Sequence, residues 1–262
     1  MAKYAGGKAG VVYRREINVI MPNVERAVFL AAGKGTRMAP LTDTLPKPLV
    51  KVHGRAIIAT LLDAVIMAGI EEIYVVRGYL GEKFNCLLQD YPQIKFIDNP
   101  DYEKANNISS IVAAADFLQN AYIIESDLLL SNPSLITAHQ DYSNYLAIPK
   151  KKTDDWCFFT DEAGIIKKMA VGGENCQQMV GISYWTAEDG GKLAQKARQL
   201  YADTSNHQMY WDEIALSRFL PEFAIKTRLC RQEDIIEIDT LAELQDLDSS
   251  YLNLQQDEVS IN

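Results

Sequence analysis

A short apolar run, Ala27-Val28-Phe29-Leu30, leads directly into Ala31-Ala32-Gly33-Lys34-Gly35-Thr36-Arg37. The run has the length of a buried strand, and the glycines that end it restrict the turn beyond. Without a Cβ at Gly33 or Gly35, backbone N–H groups reach a ligand at hydrogen-bonding distance, and a phosphate suits such a concavity. Arg37 in the loop, and Lys47 within Leu45-Pro46-Lys47-Pro48, add positive charge beside it. The flanking prolines fix φ and stiffen the segment that carries Lys47. A strand, a glycine turn and two cations are what a bound nucleoside triphosphate requires. The spacing excludes two familiar alternatives. No G-x-x-x-x-G-K-[ST] run is present, and the third glycine of a dinucleotide fingerprint is missing.

Downstream, strand and helix patterns alternate. Strands are expected at 27–31, 72–77, 94–97, 121–126 and 145–149, and helices at 55–69, 79–90, 107–119 and 133–140. Such alternation predicts an α/β fold with a parallel sheet covered by helices on both faces. After Lys150-Lys151-Lys152 the texture changes. Asp161-Glu162-Ala163-Gly164 signals a hairpin. A strand at 179–185, helices at 187–202 and 209–219, and short strands at 224–229 and 235–238 come after it. A last helix begins at Leu241, with Thr240 and Glu243 at capping-box spacing. The expected organisation is an extension at 1–24, a folded unit at 25–253 and a tail at 254–262. Within the unit, about 25–150 forms a nucleotide-binding half and about 151–253 an acceptor-binding half.

Charge and cysteine usage narrow the partners. The formal net charge of -9 argues against nucleic acid and against an anionic membrane surface. No apolar run approaches the ~20 residues that span a bilayer, and the N-terminus lacks the apolar core of a signal peptide. A cytoplasmic protein is expected. Cys86, Cys157, Cys176 and Cys230 form no C-x-x-C pair, and the three histidines complete no zinc spacing. The cysteines read as small apolar filler in a reducing compartment.

Two acids stand at strand ends, where open parallel sheets bind their ligands. Asp127 comes after Ala121-Tyr122-Ile123-Ile124, and Asp239 after Ile235-Ile236-Glu237-Ile238. Each offers hard oxygen donors to a divalent cation; each also suits a turn or helix cap. Trp156, Trp185 and Trp211, all the tryptophans of the chain, fall in its second half with Tyr184 and Tyr210. Aromatic faces beside a carboxylate hold a quaternary ammonium; the same residues also serve as packing. No Ser/His or Cys/His arrangement suggests a covalent intermediate.

Leu-Ala-Ala-Gly-x-Gly-Thr-Arg-Met, then Leu-Pro-Lys-Pro-Leu, resembles the signature of nucleotidyltransferases that join a nucleoside triphosphate to a phosphorylated small molecule. Val75-Val76-Arg77-Gly78-Tyr79, Asn106-Asn107-Ile108-Ser109-Ser110 and Glu125-Ser126-Asp127 extend the likeness. Gly181-Ile182-Ser183-Tyr184-Trp185, Tyr210-Trp211-Asp212 and Glu237-Ile238-Asp239 complete it over about residues 26 to 250. In that order the motifs resemble the bacterial CTP:phosphocholine cytidylyltransferase family more than the sugar-1-phosphate enzymes.

The resemblance implies a Rossmann-like nucleotidyltransferase fold, with a mainly parallel central sheet and a smaller acceptor-binding α+β part. It implies nucleotide binding by Leu30, Ala31, Ala32, Gly33, Gly35, Thr36 and Arg37, with Tyr79 and Asn107. Lys47 and Arg37 become the catalytic cations, and Asp127 and Asp239 the pair that holds Mg²⁺. Trp156, Tyr210 and Asp212 match the choline pocket. The expected reaction is direct, Mg²⁺-assisted attack of phosphocholine on the α-phosphate of CTP, giving CDP-choline and pyrophosphate. The alternatives are the same chemistry on 2-aminoethylphosphonate, a sugar-1-phosphate nucleotidyltransferase, or a non-catalytic regulatory subunit. CTP and phosphocholine are the expected partners, and the chain is expected to be a monomer or homodimer.

Overall fold

The apolar run at residues 27–30 lies inside a seven-stranded sheet, with Ala27, Val28 and Phe29 fully buried. The computed structural model describes residues 23–254. The extension expected at 1–24 and the tail expected at 254–262 lie outside the described residues, apart from Asn23, Val24 and Leu254. In chain order the elements are β1 (Arg26–Ala31), β2 (Lys51–Val52), β3 (Arg55–Ala56), α1 (Ile57–Met67), β4 (Glu72–Arg77) and β5 (Ile94–Asp98). Then come α2 (Ile108–Ala113), β6 (Ala121–Glu125), β7 (Leu128–Leu130), β8 (Asn144–Thr160) and β9 (Ile166–Trp185). The chain continues through α3 (Ala187–Tyr201), β10 (Lys226–Leu229), β11 (Ile235–Glu237) and α4 (Leu241–Leu247).

The main sheet runs β10-β8-β9-β6-β1-β4-β5. Its β6-β1-β4-β5 segment is parallel, as is β10 on β8, while β9 pairs antiparallel with both neighbours. This is the mixed, mostly parallel α/β sheet expected of the fold. Period-two alternation divides the core. Ala27 and Phe29 face α1 through Ile58, Leu61 and Leu62. Val28 and Ile123 face α2 and α3 through Ile111, Leu193 and Ala197. Among the described residues no helix is long and apolar enough to cross a membrane.

Three predicted helices come out differently. The segment at 79–90 is a 3-10 helix, Gly81–Gln89, burying Phe84 and Leu87, whose three-residue spacing matches that tighter turn. At 133–140 only the turn Pro133–Leu135 is helical. There Gln140 bonds the hydroxyls of Tyr122 and Thr137, so side chains satisfy what a helix would have closed with backbone. At 209–219 a π-type turn, Ile214–Arg218, replaces a regular helix, and Pro221 comes soon after it.

Strand β8 runs through residue 150 without a break, joining the two expected halves by one 17-residue strand. Its hairpin with β9 carries β-bulges. The tip folds back, so that Phe158 pairs with both Met169 and Gln177. That fold brings Trp156, on an exposed hairpin, to the cleft that Gly33 and Gly35 line.

Candidate active site

The glycine turn is shaped around a lysine. Gly35 adopts φ +62°, and a Cβ there would lie 2.9 Å from Lys47 Cβ. A side chain at 35 would therefore press Lys47 out of place. Thr42 Oγ1 donates to the Gly35 carbonyl at 2.9 Å and closes the loop. Gly33 has nothing within 4 Å of its would-be Cβ, which leaves that backbone open to a ligand. Lys47, only 7% exposed, sits in the 3-10 turn Lys47–Leu49 with Pro48 inside it. Its Nζ donates to Asp127 Oδ2 and to Asp239 Oδ1, both at 2.8 Å.

Those acids are far apart in sequence and are joined by a small antiparallel ladder. β7 pairs with β11, Leu128 opposite Glu237, and Ile238 N donates to the Asp127 carbonyl at 3.2 Å. Ser126 Oγ donates to the Leu30 carbonyl at 2.6 Å and pins the end of β6 to β1. The capping roles that Asp239 could have filled are taken by others. Thr240 caps α4, and Glu243 accepts the backbone N–H groups of Asp239 and Thr240. The Asp239 carboxylate instead meets Lys47 and, at 2.9 Å, Arg37 Nη2.

A cleft of about 490 Å³ collects these groups. Leu30, Ala31, Ala32, Gly33 and Gly35 line it, with Arg37, Lys47 and Asn107. Trp156, Tyr210 and Asp212 line it too, as do Asp127 and Asp239. Thr36 and Tyr79 do not; the Tyr79 hydroxyl donates to the Asp43 carbonyl at 3.2 Å. Asn107 Oδ1 accepts the backbone N–H of Trp211 at 2.9 Å, linking the start of α2 to the Tyr210-Trp211-Asp212 segment. The Trp156 and Tyr210 rings stand 6.3 Å apart at 65°, with Tyr210 at the exposed rim. Tyr184, Trp185 and Trp211 are core residues, essentially inaccessible.

Two further carboxylates, Glu125 and Glu237, also line the cleft. The sequence held a signal for both. Glu125-Ser126-Asp127 and Glu237-Ile238-Asp239 repeat acid-x-acid, each starting on the last residue of a strand, β6 and β11. Oxygens of Glu125, Asp127 and Glu237 lie within 4.8 Å of one another. Asp127 Oδ1 is buried and has no hydrogen-bond partner among the described residues. Hard oxygen donors with one buried acceptor left unmet fit a small divalent cation.

Crowding of like charge shows in the acidities. Glu125 is pushed well above the usual carboxylate range, first by burial, then by Asp127, Asp212 and Glu237. Glu237 opens to the cleft, yet the protein around it and the charges of Asp127, Asp239 and Asp155 raise it to about 8, against the pull of Lys47. Burial, then Glu213, raises Asp212 to about 7.

For Asp212 the linkage sign is definite. Its folded pKa exceeds the ordinary value, so the unfolded chain gives up the proton first. Stability therefore falls as pH rises from 3.8 toward about 7, and the penalty is constant above that. Asp212→Asn should raise Tm by several degrees at about pH 8, given roughly 2–4 °C per kcal/mol for a domain of this size. The gain should vanish toward about pH 3, below both pKa values. An unchanged Tm at the higher pH would mean that Asp212 is solvated and charged.

The geometry has close counterparts. The sequence profile described as "Nucleotidyl transferase" matches residues 26–162. A 2-aminoethylphosphonate cytidylyltransferase of Lancefieldella rimae is 38% identical over 231 residues, covering 87% of this chain and 94% of that protein. A choline-phosphate cytidylyltransferase of Haemophilus influenzae is 29% identical over 218 residues, covering 82% and 92%. Among solved structures, a CTP:phosphocholine cytidylyltransferase from Streptococcus pneumoniae superimposes with TM-score 0.80 at 26% identity, covering 86% of this chain and 98% of that one.

Proposed function

Because the chain belongs to the nucleotidyl transferase family, we propose that it transfers a cytidylyl group from CTP to 2-aminoethylphosphonate. A phosphonate oxygen attacks the α-phosphorus in line, the bond to the bridging oxygen breaks, and pyrophosphate leaves. The observation that carries the acceptor is the composition of the cleft. Glu125, Asp212, Glu237 and Asp155 line it, whereas Trp156 and Tyr210 are the aromatic residues it holds. A primary ammonium donates hydrogen bonds and is best met by carboxylates; a quaternary one needs faces on several sides. Trp185 and Trp211 are buried in the core and supply none. The 38% identity to a 2-aminoethylphosphonate enzyme supports the same acceptor.

This revises the acceptor expected from the sequence motifs. Phosphocholine remains the second reading, favoured by the crossed Trp156 and Tyr210 rings and by the likeness to choline-phosphate enzymes.

The chain's own groups divide the work. The backbone at Gly33 is open to the triphosphate, Gly35 leaves room for Lys47, and Arg37 adds a forked donor. Lys47 stays cationic beside the reacting phosphate. Asp127 and Asp239, with Glu125 and Glu237 nearby, are the groups that would hold Mg²⁺. When bound, the cation neutralises charge on the nucleotide phosphates and the departing pyrophosphate. Positioning and fixed charge supply the acceleration.

The test crosses four nucleoside triphosphates with 2-aminoethylphosphonate, phosphocholine and glucose-1-phosphate in a pyrophosphate-release assay. The highest kcat/KM is expected for CTP with 2-aminoethylphosphonate. A preference for phosphocholine at equal concentration would replace the acceptor and leave the nucleotide chemistry standing. In the same assay Trp156→Ala should raise the acceptor KM about two- to thirtyfold, one cation–π contact, without moving the CTP KM.

A further inference from the structure

The β8–β9 hairpin bends at Gly172-Gly173, opposite Asp154 and Asp155. Gly172 takes φ +74°, and its would-be Cβ stands 3.7 Å from the Thr153 carbonyl oxygen. Beyond the bend, β8 pairs with Ile166–Val171 on one side and folds back against Gln177 and Gln178 on the other. Gln178 Nε2 donates to Asp155 Oδ2 at 3.1 Å, next to Trp156. A cysteine stands on each side of this bend. Cys157 belongs to the folded-back arm, opposite Gln178; Cys176 belongs to the arm that stays in the main sheet, opposite Lys150. Both sulfurs converge on Gly173: a Cβ there would lie 2.9 Å from Cys157 Sγ and 3.2 Å from Cys176 Sγ. Cys157 is fully enclosed and Cys176 is 4% exposed, while Val171, at the start of the bend, is 63% exposed. Burial, then the contact with Cys176, pushes the Cys157 thiol up to about 11, so it rests protonated at neutral pH. The other two cysteines are placed differently. Cys86 is exposed, and Cys230 donates to the Ala147 carbonyl at 3.7 Å.

We propose that Cys157 and Cys176 form a modification site: a hydroperoxide converts them to an intramolecular disulfide that locks the folded-back arm, with Trp156, against the sheet. With hydrogen peroxide as the oxidant the atoms balance as follows. Cys176, the less enclosed thiol, gives up its proton and attacks one peroxide oxygen. The O–O bond breaks, water leaves, and Cys176 carries a sulfenic acid. The Cys157 sulfur then displaces that hydroxyl, which departs with the Cys157 proton as a second water, and the S–S bond forms. The two thiols lose two electrons and the peroxide gains them. A disulfide draws its sulfurs to about 2 Å, and the glycines at the bend give the backbone freedom for that closure. In a reducing compartment thiol exchange returns the pair to the dithiol, as for a redox-responsive rather than a structural bridge. Trp156 precedes Cys157 and lines the cleft, so the bond holds one wall of the acceptor side in place. This holds whichever acceptor the cleft takes.

The experiment treats the full chain, carrying Cys86→Ala to remove the exposed thiol, with hydrogen peroxide under native conditions. Free thiols are counted after denaturation, linked peptides are mapped by mass spectrometry, and backbone amide exchange is followed through the hairpin. The protein should lose two thiols, show a Cys157–Cys176 linkage and run as a single chain on a non-reducing gel. Exchange in the folded-back arm should slow roughly tenfold or more, because its local opening is blocked. Dithiothreitol should reverse both changes. Kinetics are measured with 2-aminoethylphosphonate and with phosphocholine. The acceptor KM should hold or fall and the CTP KM should hold, since the bond forms in the arrangement that presents Trp156. A severalfold rise in acceptor KM would mean that the bridge had captured another hairpin arrangement, and overturns the lock. Sulfinic acids at both positions without a linkage, or linkage between chains, overturns the site itself. Cys157→Ser and Cys176→Ser in the same background should show neither linkage nor slowed exchange; slowing that persists in them assigns it to general oxidation and overturns the proposal. Should a serine variant not fold, the linkage map of the Cys86→Ala protein and its reversal decide alone.

Discussion

Asp127→Asn is expected to abolish Mg²⁺-dependent turnover, by roughly a hundredfold or more, while the protein still folds. Asp127 uses one oxygen on Lys47 at 2.8 Å and keeps the other, Oδ1, buried and without a described partner. An amide can still offer one oxygen to Lys47. Its NH₂ then occupies the place where the unmet acceptor was, and an N–H is the wrong group for a cation. Glu125 and Glu237 would each still present an oxygen to that space. Excess Mg²⁺ should therefore recover some activity, with a shifted half-saturation. Asp239→Asn should lose nearly as much, because its Oδ1 is shared by Lys47 and Arg37. The check is pyrophosphate release across a Mg²⁺ titration, with Tm as the control for folding. Near-wild-type rates at limiting Mg²⁺ would remove the altered residue from the metal-holding set.

Much of this site is visible in the sequence because its parts are local. The strand, Gly33, Gly35 and Arg37 are one continuous segment, and Lys47 is fixed between prolines a few residues on. The strand-end position of Asp127 and the capping box at Thr240 and Glu243 arise from patterns a few residues long. The pairing of Asp127 with Asp239 is different. It depends on the β7–β11 ladder, a contact between segments with no sequence signal for each other. The aromatic residues mislead for a related reason. Composition groups Trp156, Trp185 and Trp211 together, but the end of β9 is buried on both faces, which puts Trp185 in the core, and Asn107 holds the backbone of the buried Trp211. Of these three tryptophans, Trp156 lines the cleft, because the β8–β9 hairpin folds back at its tip. The missed residues, Glu125 and Glu237, were legible as acid-x-acid repeats. Their crowding was not, since it comes from two strand ends meeting in space.

Lys47→Ala should lower kcat by roughly a hundredfold or more, the scale for losing one preorganised charge from a transition state. Burial is the largest single influence on Lys47 and by itself lowers its pKa, but the attraction and hydrogen bonds of Asp127 and Asp239 outweigh it. The folded pKa therefore lies above the ordinary 10.5. A raised lysine pKa means that its stabilising contribution is complete below the unfolded value and is lost only as pH rises through the folded one. Lys47 thus stays charged through neutral pH, and its loss cannot be imitated by mild alkali. Removing it leaves Asp127 without its lysine and Asp239 with Arg37 alone, so Tm should fall too. The drop should be smaller than the ~3–5 kcal/mol of breaking a fully buried pair, because Asp127 and Asp239 side chains are 24% and 23% exposed. Adding Asp239→Asn to Lys47→Ala should return part of the Tm, because it removes the repulsion, yet none of the activity. Lys47→Arg should not rescue turnover. The side chain threads past Gly35, where a Cβ would already stand 2.9 Å from Lys47 Cβ, and a planar guanidinium does not fit a point between two carboxylates. A Lys47→Ala enzyme with unchanged kcat, and only a higher acceptor KM, would place this lysine outside the reaction centre and leave phosphate stabilisation to the glycine backbone and Arg37.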